Sequence, residues 1–171
     1  RWKRFAELSS EDLGTEGVRA QLFGEERTVQ GPVNHRAIEP GEIAEDLIPE
    51  LIKLRREELP SNPEARANVL QEAFTRALEK LTKSRSIDPN AWQEIARAFA
   101  TLFYNDFQSV FYPNSGTLFA SFGVEARIPE HFIKANVLVR ARLREALGEI
   151  EHSYEEHAWR AYFFFWLWNR Y

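Results

Sequence analysis

The sequence predicts an all-α fold, a single-domain helical bundle over residues 1–171. Three observations carry this expectation. Several long stretches repeat their apolar residues every three to four positions, whereas no long stretch alternates as a half-buried strand would. The helix starts carry capping residues followed by proline, at Asn62-Pro63 and Asp88-Pro89. The chain of 171 residues is 44% hydrophobic and 28% charged, enough for one well-filled core and too apolar for disorder.

Residues 1–40 are the less regular part. Trp2 to Leu8 reads as a short helix, and Thr15 to Phe23, closed by Gly24, as another. Glu25 to Pro40 reads as a loop with a turn at Gly31-Pro32. Gly41 to Leu59 then places Ile43, Leu47, Ile48, Leu51 and Ile52 on a helical stripe, with a kink expected at Pro49 and an end at Pro60.

The clearest helix follows Asn62-Pro63. Asparagine accepts from the exposed amides of a first turn, and proline has no amide to leave bare there. Val69, Leu70, Ala73, Phe74, Ala77, Leu78 and Leu81 form its stripe, and Lys80, Lys83 and Arg85 suit its negative end. Asp88-Pro89 repeats the start signal. Trp92, Ile95, Ala96, Phe99, Leu102, Phe103, Val110 and Phe111 follow at helical spacing, up to a stop at Pro113, Asn114 and Gly116. Thr117 to Phe122 reads as a short helix or turn closed by Gly123.

Pro129 is expected to open the next helix, with Phe132, Asn136, Val139, Leu143, Leu147 and Ile150 on its buried face. Ser153 and Glu156 form a capping box that starts a last helix. That helix carries Trp159, Tyr162, Phe163, Phe164, Phe165, Trp166, Trp168 and Tyr171. About five substantial helices around an aromatic core result.

Composition excludes several kinds of chemistry. Without cysteine there are no disulfides, thiolate metal sites or cysteine nucleophiles. The net charge of −4 argues against nucleic acid as a partner. Basic clusters at Arg1-Lys3-Arg4, Lys53-Arg55-Arg56 and Arg140-Arg142-Arg144 read as solvated helix faces. No apolar run reaches the roughly 18–20 residues that span a bilayer, and no signal-like start is visible, so the cytoplasm is the expected location. The start at Arg1 keeps a removed leader open. Phosphate-binding glycine loops and nucleophile elbows are absent from the sequence.

Two features bear on function. Glu149 and His152 have the Glu-x-x-His spacing of two-metal helical bundles, but it occurs once, and a new helix starts beside it. The main reading assigns no metal ligand and no catalytic residue; a metal-binding bundle or enzyme using Glu149 and His152 is the alternative. The sequence requires no cofactor. The aromatic C-terminal stretch is apolar on nearly every side, with Trp159, Phe163 and Trp166 on one face and Tyr162 beside them. Such a helix must be covered all round. A central core position, a dimer or partner interface, and a pocket for a flat apolar ligand such as a tetrapyrrole all satisfy that demand. Asn136, an amide on an apolar stripe, needs a partner: a loop carbonyl, a helix register or a ligand.

Glu125 to Leu143 (EARIPEHFIKANVLVRARL) and the pattern Phe103-Tyr104, Pro113, Phe119 resemble bacterial sensor globins around the segment after the haem-ligand helix. The resemblance covers at most the C-terminal half and implies a globin-like helical sensor. Glu125 stands where the haem-ligating histidine is expected, and no histidine lies between His35 and His131. The kinship therefore implies a haem-free kind, and no functional residue carries over. These readings converge on a non-catalytic regulatory or sensor domain. It is expected to bind a partner protein or an apolar small ligand and to form a homodimer through Trp159, Tyr162, Phe163 and Trp166.

Overall fold

The computed structural model describes residues 8–13, 15, 17–18, 40–84, 91–107 and 115–148. All regular structure among these residues is helical. The elements are α1 (Ser10–Leu13), α2 (Pro40–Arg56), α3 (Pro63–Ser84), α4 (Ala91–Leu102), α5 (Ser115–Ser121) and α6 (Phe132–Leu147). The expected helix at 2–8, most of the one at 15–23, the loop at 25–40 and the aromatic helix beyond Ser153 lie outside the described residues.

The longest helix, α3, is the centre of the packing. It lies most extensively against α6, then against α2 and α4, while α5 covers α6 and α1 covers α2. Its start is the expected one: the Ala65 N–H donates to Asn62 Oδ1 at 3.0 Å. Leu70, Ala73, Phe74, Ala77 and Leu81 are buried, and Val69 and Leu78 are half-buried against the same core. On α2, Leu47, Ile48, Leu51 and Leu54 are buried. Pro49 lies inside this helix on its exposed side. The helix stops at Arg56, ahead of the expected Pro60. Glu50 ties α2 to α3 by accepting from Arg76 at 3.0 Å and lying 3.8 Å from Lys80. The short α1 has a capping box missed in the sequence. Asp12 N–H donates to Ser9 Oγ at 3.0 Å, and Ser9 N–H reaches back to Asp12 Oδ2 at 3.3 Å.

Three further boundaries differ from expectation. The helix α4 ends at Leu102, well before Phe111, and a turn over Phe103 to Asp106 follows. Asn105 and Asp106 are poor helix formers whose side chains compete with the ladder, and Asp106 is drawn to α3 instead, as described below. Gly116 lies within α5 rather than terminating a helix. The helix α6 begins at Phe132 rather than at Pro129, which sits in a preceding turn and follows a cis peptide bond. Its cap comes from elsewhere in the chain: Gln71 of α3 accepts the Lys134 N–H at 3.0 Å, while His131 at the N-cap position makes no side-chain cap. On the buried face of α6, Phe132, Asn136, Val139 and Leu143 are placed as expected. Leu147 is 56% exposed, because the last turn runs past the core.

Gly123 ends the α5 turn with φ +68°, and a Cβ there would collide with the Arg142 guanidinium, which donates to the Phe122 carbonyl. The left-handed backbone is what requires glycine, because the flexible Arg142 side chain could move aside for a Cβ. Replacing Gly123 with alanine is expected to cost about 1–2 kcal/mol, read as a lower denaturation midpoint. An unchanged midpoint would contradict this account of the turn.

Candidate functional site

One end of the bundle brings together the start of α3, the turn after α4 and one face of α6. The sequence makes this junction in three local steps. Asn62-Pro63 fixes the first turn of α3, so Arg66 emerges one turn in. In the turn after α4, the Asp106 N–H donates to the Phe103 carbonyl at 2.8 Å, and the buried rings of Phe103 and Phe107 anchor the turn on both sides. On α6, Val137, Arg140, Ala141 and Arg144 follow helical spacing and share one face.

Arg66 and Asp106 join these parts. Nε of Arg66 donates to Asp106 Oδ1 at 2.6 Å and Nη2 donates to Oδ2 at 2.9 Å, a two-point fork between residues 40 positions apart. Asp106 is buried, while Arg66 keeps about a third of its side chain in solvent. Arg140, only 3% exposed, donates from Nε to the Asn105 carbonyl at 3.4 Å. Arg144, one turn further along α6, is half-buried.

Two cavities flank the Arg66–Asp106 fork. One, of about 350 Å³, is lined by Ser61, Pro63, Arg66, Asn105, Asp106, Val137, Arg140, Ala141 and Arg144. Its wall holds three guanidinium groups and one carboxylate. The other, of about 320 Å³, shares Arg66, Asn105 and Asp106. Leu54, Leu59, Leu102 and Phe103 give it an apolar side, and Arg55 and Glu57 balance its charge. Burial lowers the Arg55 pKa from its ordinary value, and its Nη1 donates to the Leu8 carbonyl at 3.0 Å. Arginine remains charged at neutral pH despite such a shift.

Of the residues singled out in the sequence, Asn136 is the one among the described residues. It is fully buried and donates from Nδ2 to the Phe132 carbonyl at 3.1 Å, one turn back on its own helix. It lines neither cavity. Trp159, Tyr162, Phe163, Trp166, Glu149 and His152 lie outside the described residues. Among the described residues, no three histidine, aspartate or glutamate side chains converge as a metal site would need. No helix formed by them is long and apolar enough to cross a membrane.

The solvated reading of the basic clusters needs correction at Arg140. Arg142, Lys53 and Arg56 are exposed as expected, but Arg140 is buried, and Arg55 and Arg144 are half-buried. A signal for Arg140 existed: it follows Asn136 by four positions and Phe132 by eight, on the apolar stripe. Arg66 and Asp106 carried no local signal, because their pairing spans 40 residues. No protein-family model, curated protein or solved structure matches the chain.

Proposed function

We propose that this chain is a non-catalytic helical regulatory or sensor domain, acting in the cytoplasm, that binds a small ligand or a partner chain. It works as a homodimer through the aromatic segment bearing Trp159, Tyr162, Phe163 and Trp166. The observation that carries this reading is the pair of small-ligand-sized cavities on either side of the Arg66–Asp106 fork, where α3, α4 and α6 meet. A ligand seated there acts on the relative packing of three helices at once. In sequence, α6 leads directly into the aromatic segment, so a shift of α6 reaches the dimer contact. The globin-like resemblance of Glu125 to Leu143 belongs to the same sensor reading. The apolar side of the second cavity, at Leu54, Leu59, Leu102 and Phe103, suits the apolar part of a ligand.

Light scattering on the full chain is the test. A dimer at micromolar concentration is expected, and Trp166→Ala is expected to yield monomers that keep their helical circular dichroism. A strictly monomeric wild-type chain at high micromolar concentration would overturn the dimer reading. A Trp166→Ala chain that loses its helix signal would place that ring in the core instead, with the roughly 3–5 kcal/mol penalty of an emptied aromatic site. Visible absorption of the purified chain reports whether a tetrapyrrole is the apolar guest.

A further inference from the structure

We draw no further inference here: the strongest candidate, the cavity of about 350 Å³ between α3, the α4 turn and α6, belongs to the site already described, and the arginines on its α6 wall that would name a ligand class, Arg140 and Arg144, already have partners.

Discussion

Replacing Phe132 with alanine is expected to cost about 3–5 kcal/mol, the usual penalty for emptying a large aromatic site in a core. Phe132 is fully buried at the first residue of α6. Its ring meets Trp92 of α4 edge-on, with centroids 5.0 Å apart and planes at 62°. It also meets Phe119 of α5 at 6.2 Å and 64°. One side chain thus fastens three helices, and alanine would lose the buried area together with both ring contacts. Against a typical domain stability of about 5–15 kcal/mol, such a loss is a large fraction of the whole. Urea denaturation would show it as a lower midpoint at an unchanged slope. Leu147→Ala, at a position 56% exposed on the same helix, is expected to stay within about 0.5 kcal/mol of the parent. Equal effects at the two positions would contradict the placement of the core.

Asp106→Ala carries the second large effect, about 2–4 kcal/mol. It leaves the Arg66 fork without its carboxylate and releases the turn after α4 from α3. Removing one partner of a fully buried ion pair costs roughly 3–5 kcal/mol. The expectation is lower here because Arg66 is 30% exposed and recovers some hydration. The Lys53–Glu57 pair gives the contrast. Its atoms are 3.9 Å apart and both side chains are mostly in water, so Glu57→Ala is expected to cost less than about 1 kcal/mol. A double-mutant cycle on Arg66 and Asp106 measures the pairing itself. The doubly substituted chain is expected to be more stable than the sum of the single losses predicts. Strict additivity would mean that the fork does not join the elements it bridges.

How much of this was legible in the sequence depends on how local each cause is. The start and stripe of α3 are written in adjacent residues, from Asn62-Pro63 to Leu81, and the structure follows them closely. Gly123 likewise marks a turn by its own backbone freedom. The start of α6 is not written locally, because its first turn is capped by Gln71, 63 residues away from Lys134. The end of α4 is hidden because the apolar spacing runs on through Phe103 toward Val110 and Phe111, whereas the buried Phe103 ring anchors a turn. The site divides the same way. Arg140 sits on the readable apolar stripe of α6, which sets it apart from the exposed Arg142 of the same basic triplet. Arg66 and Asp106 become partners only once α3 and the α4 turn are side by side, which no spacing rule encodes.

The most direct test of the sensor reading is light scattering of the full chain from low to high micromolar concentration. A dimer is predicted, and Trp166→Ala is predicted to give monomers that keep their helical circular dichroism. A strictly monomeric parent chain at high micromolar concentration would contradict the reading.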